Sequence, residues 1–450
     1  MKRYLILCLV AVILLALPLV AACGEDEPDT STTAGPATTA GPATTAGPAT
    51  TAGPATTVGE PVTLYLGGTF ALTGAYAEDS GACMDAYVDY VQWVNDNKMI
   101  APWHPEKTIP ANITFELKWG DDALDPAKAV TIYEDLKSQG LLVERISGSP
   151  EGMALKDMLV ADNIGAVTQS SAVAYLMPPG NIFMNYPIYT DQMAAIAEWF
   201  MESWTEDRAP RVAYLTADSA LGRGMDIPEM KAYLAELGYE FVGAQFMPMV
   251  PTAPPTTQLT WLRDNNIDLV LGILINASSQ PAIKEAVRLG MGVGLEHEMT
   301  FGFACPSHLA IFVPDMGATG NGVVVAGSYC AWESGTEAVE FANLMQDTYR
   351  PNDRQDIILY LQGMMEVMIQ AEALRLASLE VDPAELTSED VLKKGFWQIK
   401  NLGSGGIHPT DMNFGEGQVE GCGEVRIQQV IDAQIAEMGS YPLRHILPSE

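Results

Sequence analysis

From residue 61 onward, short apolar runs alternate with longer segments in which apolar residues recur every three or four positions. Val62–Leu66 reads as a buried strand, and Asp79–Asn95 as a helix with Ala82, Ala86, Val88, Val91, Trp93 and Val94 along one broad stripe. Ile113–Trp119 is the next strand. Asp125-Pro126 then opens a helix to Gln139, an N-cap followed by proline in the first turn. Strands at Leu142–Ile146, Ala166–Gln169 and Ile182–Asn185 follow, with a helix at Gly152–Asp162 after the first of them. The rhythm restarts with a helix at Gln192–Trp204. Strands are expected at Arg211–Leu215, Glu240–Phe246, Leu269–Ile275, Thr300–Phe303 and Gly322–Ala326. Helices are expected at Gly222–Leu237, with Pro228 inside its start, at Gln258–Asn265 and at Gln280–Leu289. A long helix at Ile357–Leu376 and a strand at Glu424–Val430 complete the pattern.

Strands separated by helices of 10–15 residues indicate βαβ units and parallel sheets. The runs are continuously apolar, as strands covered on both faces require. Two rounds predict an α/β fold of two doubly wound parallel-sheet lobes. Ligands of such sheets sit beyond the carboxyl ends of the strands, so two facing lobes define a cleft that closes on its solute.

The first 60 residues follow different rules. Lys2 and Arg3 precede an apolar stretch from Tyr4 to Val20, and Leu19-Val20-Ala21-Ala22 leads into Cys23. That order is a secretory signal peptide over 1–22, too short for a spanning helix. The cysteine after small residues resembles a bacterial lipobox, which implies that Cys23 is lipidated and becomes the first mature residue. Residues 23–60 form an anchor and linker: Ala-Gly-Pro-Ala-Thr-Thr runs four times between 34 and 57, with no large apolar residue before Val58. Such a segment buries too little to offset its ordering entropy and reads as a stalk.

The formal net charge of −33 argues against nucleic acid as a partner and against anionic lipid surfaces. Of six cysteines, Cys8 and Cys23 lie in the export segment. Cys305 and Cys330 each follow a short apolar run, so a disulfide between them is one expectation. Cys83 and Cys422 have no evident partner. No CxxC or Cys/His ligand spacing exists, so neither a metal nor another cofactor is expected. The five histidines are scattered, Gly-x-Ser-x-Gly is absent, and so is a phosphate loop. Asp121-Asp122 reads as a turn and cap. An enzyme, such as a surface hydrolase, is disfavoured.

Three stretches resemble the periplasmic binding protein type 1 fold, and within it the branched-chain amino-acid-type solute-binding lipoproteins of ABC transporters. They are Leu64 to Ala77, with Thr73-Gly74; Arg211 to Asp218 followed by Leu221-Gly222-Arg223-Gly224; and Leu259 to Gly290. The resemblance implies an N-terminal lobe of 61–190 plus 332–412 and a C-terminal lobe of 191–331 plus 413–450. A hinge of three crossovers near 190, 331 and 412 would join them. It implies an extracytoplasmic, lipid-anchored receptor on the cell membrane that delivers a small polar solute to an ABC permease. A sensor of the same fold signalling to a membrane partner is the alternative.

Ser147-Gly148-Ser149-Pro150-Glu151-Gly152 ends a strand and opens a helix, where backbone N–H groups and hydroxyls can hold a carboxylate or other anion. Thr168-Gln169-Ser170-Ser171 supplies a second donor set at the next strand end. The resemblance implies Ser149, Ser170 and Ser171 as ligand contacts, and Gln169 lies among them. Tyr76, Tyr189 and Phe303 are candidate walls, and Asn276 is a candidate reach from the second lobe. Amino-acid binders of this family tend to place an acid after the strand that here reads Gly302-Phe303-Ala304-Cys305, where none occurs. A buried ammonium without a carboxylate is costly. An amino acid, an amide or urea, and a small carboxylate therefore all remain as solutes.

Overall fold

The computed structural model describes residues 59–448, apart from Ala75, residues 305–308 and Ser328. The signal peptide, Cys23, the repeats and Cys305 thus lie outside the described residues. The first half runs β1 (Val62–Phe70), α1 (Ala77–Asn97), β2 (Ile113–Asp121), α2 (Pro126–Ser138), β3 (Val143–Ile146), α3 (Ser149–Asp162), β4 (Gly165–Thr168), α4 (Val173–Leu176) and β5 (Ile182–Phe183). β1 pairs with β2 in parallel from Val62 opposite Ile113 to Phe70 opposite Asp121. β3, β4 and β5 are also parallel to one another. A bridge from Tyr65 to Leu141 joins the two groups, which gives the order β2-β1-β3-β4-β5. Local signals explain the helices: the Asp125 carboxylate accepts from the Ala127 and Lys128 N–H groups and Pro126 is the first residue of α2.

The second half runs α5 (Tyr189–Ser203), β6 (Arg211–Ala217), α6 (Ala220–Arg223), α7 (Pro228–Glu236), β7 (Glu240–Met247), α8 (Thr256–Asp264), β8 (Leu269–Gly272), α9 (Asn276–Arg288), β9 (Thr300–Ala304), α10 (Leu309–Met316) and β10 (Val324–Gly327). It ends with α11 (Glu337–Tyr349), α12 (Ile358–Glu380), α13 (Ser388–Asp390), β11 (Glu424–Ile431) and β12 (Gln434–Pro442). The second sheet has the order β12-β11-β10-β9-β8-β6-β7. β7, β6, β8, β9 and β10 are parallel; β11 and β12 add an antiparallel hairpin at one edge. The helix expected over 222–237 is instead two, α6 and α7. Pro228 opens α7 as its first residue, because a proline has no N–H to continue the preceding turn.

α5 packs on the second sheet, whereas α12 returns to the first, against α1, β1 and β4. The approach of α12 to α1 is close: a Cβ on Gly363 would lie 2.5 Å from the Cys83 carbonyl oxygen. Residues 396–421 stay with the first sheet. Phe396 stacks on Phe183 at 4.6 Å, and Met184 bridges Glu420. The chain regains the second sheet only at Glu424, later than residue 412. The terminal segment then laces two crossings together. Asp191 accepts from the Arg444, His445 and Ile446 N–H groups, and Thr190 Oγ1 donates to the Ile446 carbonyl at 2.7 Å. Glu420 meets His445 Nδ1 at 3.1 Å. Cys330 is buried, 3.5 Å from Thr336 Oγ1, and has no disulfide partner among the described residues, which do not include Cys305.

The first lobe is built around a buried ion pair. Arg145, on β3, and Glu366, on α12, meet at 2.9 Å with both side chains fully buried. Arg145 also donates to the Thr69 carbonyl at 2.8 Å and to Gln169 Oε1, and its guanidinium lies 4.2 Å from the Phe70 ring. Gln370, one turn along α12, donates to the Gly67 and Glu144 carbonyls. Removing one partner leaves the other charge buried and alone. Glu366→Ala is expected to destabilise the protein by about 3–5 kcal/mol, measured as a lower denaturation midpoint in urea.

Candidate functional site

The loops after the carboxyl ends of strands from both sheets converge on one cavity. β1 leads to Tyr76, β2 to Leu124, β3 to Ser147, Gly148, Ser149 and Pro150, and β4 to Ser170. Tyr189 lines it from the first residue of α5. From the second sheet, β6 leads to Ser219 and Leu221, β7 to Met249 and β8 to Ile275. The cavity encloses about 90 Å³, less than the roughly 150 Å³ of a cavity that admits benzene. Its occupant is therefore a small solute, or the lobes part to admit a larger one. Larger hollows lie elsewhere, among them one of about 800 Å³ by Trp332–Ser334 and the β11–β12 hairpin and one of about 530 Å³ beside Glu420 and His445. Neither is formed by the parallel strand ends.

Four of the residues singled out from sequence line this cavity: Tyr76, Ser149, Ser170 and Tyr189. The other four do not. Gln169 is buried in the polar core, held by Arg145 and 3.3 Å from Cys83 Sγ. Ser171 accepts from the Tyr189 N–H and from Gln192 Nε2, which ties β4 to the first crossing. Phe303 is fully buried beside Phe301 in the second core. Asn276 opens α9 immediately after Ile275; its side-chain amide is buried with no hydrogen-bond partner among the described residues. The sequence pattern missed Leu124, Ser219, Met249 and Ile275. Each sits in the short connection after a strand, a position rather than a motif.

The helix start expected to hold an anion is largely occupied. Pro150 has no N–H to give, and the Gly152 N–H bonds the Gly148 carbonyl at 2.9 Å. At the end of β4 the Gln169 N–H goes to the Ile146 carbonyl and the Ser170 N–H to Thr168 Oγ1. The hydroxyls form a chain: Ser149 Oγ lies 3.1 Å from Ser170 Oγ, and Ser170 Oγ lies 2.7 Å from the Tyr175 hydroxyl. Ser147 donates to the Asp122 carboxylate.

Two buried carboxyls sit in the first turns of helices that open at the cavity. Burial pushes Asp79, in α1, up to about 7, and Glu78 adds to the shift. Burial pushes Glu151, in α3, up to about 7 against its own backbone N–H, with Asp122 and Asp125 adding to the rise. Both Glu151 oxygens lack a hydrogen bond to any other described residue.

Residues 63–415 match the model of a family described as periplasmic binding protein, and the chain belongs to that family. Its members are binding proteins rather than enzymes. No curated protein matches the chain. A branched-chain amino acid ABC transporter protein from Thermus thermophilus with bound valine shares 19% identity at a TM-score of 0.75, over 86% of this chain and 98% of that one. A fatty acid ABC transporter substrate-binding protein from Thermomonospora curvata shares 18% at 0.69, over 86% and 95%. A Rhodopseudomonas palustris solute-binding protein in complex with 3,4-dihydroxybenzoic acid shares 15% at 0.68, over 85% and 98%. These three share the fold.

Glu151 links the site to pH. Its native carboxyl holds a proton up to about 7, against an ordinary value of 4.5. Ionising it above that pH costs the folded state stability, which returns as pH falls from about 7 toward 4.5. Glu151→Gln is thus expected to stabilise the protein at pH 8, on the order of 2–3 kcal/mol. The gain should vanish near pH 4.5, as read by melting curves at both pH values.

Proposed function

We propose that this protein is an extracytoplasmic solute receptor, held to the cell membrane by a lipid on Cys23, that captures a small polar solute between two lobes and delivers it to an ABC importer. One observation carries the reading: loops from both sheets meet at a single cavity at the carboxyl ends of the parallel strands. In this reading the lobes are residues 61–188 with 332–421, and 189–327 with 424–448. Solute contacts from both sides then favour the closed arrangement. The 19%-identical Thermus thermophilus neighbour, described with bound valine, supports a small-molecule solute. The lipobox-like run before Cys23 and the repeat stalk support the anchor.

A bound solute stabilises the native state by mass action, about 2.7 kcal/mol at a hundred times its Kd. A thermal-shift screen of amino acids, amides, ureas and carboxylates should yield at least one solute that raises Tm. Leu221→Trp, which fills the cavity, should abolish that shift. A shift that survives Leu221→Trp would place the solute elsewhere. Separately, radioactive palmitate should label the expressed full-length chain, and Cys23→Ala should remove the label.

A further inference from the structure

We propose that the solute meets the first-lobe wall with an N–H donor, a primary amide or an ammonium on a short apolar body, and not with a carboxylate. This rests on the cleft reading above and deepens it. The direction of the hydrogen bonds around the cavity carries it. A hydroxyl has one proton to give and two lone pairs to offer. Ser147 gives its proton to the Asp122 carboxylate. The Tyr175 hydroxyl gives its proton to the Ser170 carbonyl. In the contact between Ser170 Oγ and the Tyr175 oxygen, Ser170 must therefore be the donor. Ser149 Oγ, 3.1 Å away, is then the donor in its contact with Ser170 Oγ in the solute-free protein. The three serines of the first-lobe wall have spent their protons on the protein and face the solute with lone pairs; the fourth cavity serine, Ser219, stands on the opposite wall with its hydroxyl 4.0 Å from Met249 Sδ.

The backbone adds little to offset this. Pro150 carries no N–H, and the N–H groups of Gly152, Gln169 and Ser170 are bonded internally. No charged residue lines the cavity among the described residues. The nearby cation on β3, Arg145, is committed to Glu366, Thr69 and Gln169. Behind the wall stand carboxyls instead: Asp122 is bonded to Ser147, and a Cβ on Gly148 would lie 2.8 Å from a Glu151 oxygen. A carboxylate placed here would face lone pairs and acids with its own charge unmatched. An amide or ammonium finds acceptors. Leu124, Leu221, Met249 and Ile275 then suit a small apolar body. Valine and dihydroxybenzoic acid, named for two neighbours, carry carboxyl groups, but those neighbours are under 20% identical and share only the fold.

The test uses sets matched in skeleton: isobutyramide, isobutylamine, isobutyrate and valine, and benzamide, benzylamine, benzoate and phenylalanine. Calorimetry and thermal shift on the mature chain should show an amide or amine binding at least tenfold tighter than the carboxylate of its skeleton. The two arms separate amide from ammonium. Ser149→Ala should weaken that binding about tenfold, more than the small drop in Tm that loss of the Ser170 bond causes without solute, read from melting curves of the solute-free variant. A carboxylate that binds tightest in its set, or a panel in which nothing binds, overturns the proposal. If a carboxylate binds and Leu221→Trp abolishes it, the cleft reading stands and only the donor assignment falls. If binding of any member survives Leu221→Trp, the cleft reading itself falls.

Discussion

The buried pair of Arg145 and Glu366 is the interaction on which the first lobe depends. Arg145 is the penultimate residue of β3, just before the serine loop, and its remaining donors hold the Thr69 carbonyl on β1 and the Gln169 side chain just past the end of β4. One guanidinium thus sets the relative positions of three strand ends that carry the cavity. Glu366 comes from α12, more than two hundred residues later. The lobe cannot complete itself until the chain has passed through the five parallel strands of the second sheet and come back. Desolvating such a pair is expensive, and its geometry must be met closely for the attraction to offset the cost. The close approach at Gly363 and the Gln370 bonds to two strand carbonyls supply that geometry.

The same economy shapes the cleft. A polar wall in a buried place is stable only when its donors and acceptors are matched. Here they are matched to one another and to Asp122, so the folded state without solute satisfies its protons and leaves acceptors over. Acids raised by burial, Asp79 and Glu151, lie in the first turns of the adjoining helices. The second lobe brings Leu221, Met249 and Ile275 and, from Ser219, one hydroxyl. The asymmetry is chemical: one wall is lined by hydroxyls, the other mainly by apolar side chains.

Much of the fold was legible in the sequence because buried parallel strands are apolar runs and their helices are amphipathic. β1, β2, β6, β9 and β11 fall where the pattern put them, extended by a few residues. What escaped had physical reasons. α11 and β12 present mixed surfaces: β12 is exposed along most of its length. The hairpin before it turns on Asp432 and Ala433, both at positive φ, without the glycine that usually marks such a turn. The site was half legible. The hydroxyl loops stood out as Ser-Gly-Ser-Pro and Gln-Ser-Ser, yet their donor direction depends on Tyr175 and Asp122, which no local spacing reveals. Phe303 looked like a wall because it ends a strand, but the alternation of β9 sends it inward beside Phe301.

The terminal segment bears on how the two lobes can move. Three crossings would ordinarily act as three separate flexible points. Asp191 and Thr190 sit at the first crossing, Glu420 at the third, and residues 444–446 bind both. Any bend that parts the first and third crossings must tear several hydrogen bonds at once, each worth about 1 kcal/mol. Mechanically the molecule is a book with a stitched spine: the first and third strands of the binding are sewn into one by the terminal segment, and Tyr329 on the middle strand adds a thread of its own, its hydroxyl donating to Asn185 Oδ1 at 3.3 Å and its carbonyl accepting from Gln428 Nε2 at 3.4 Å.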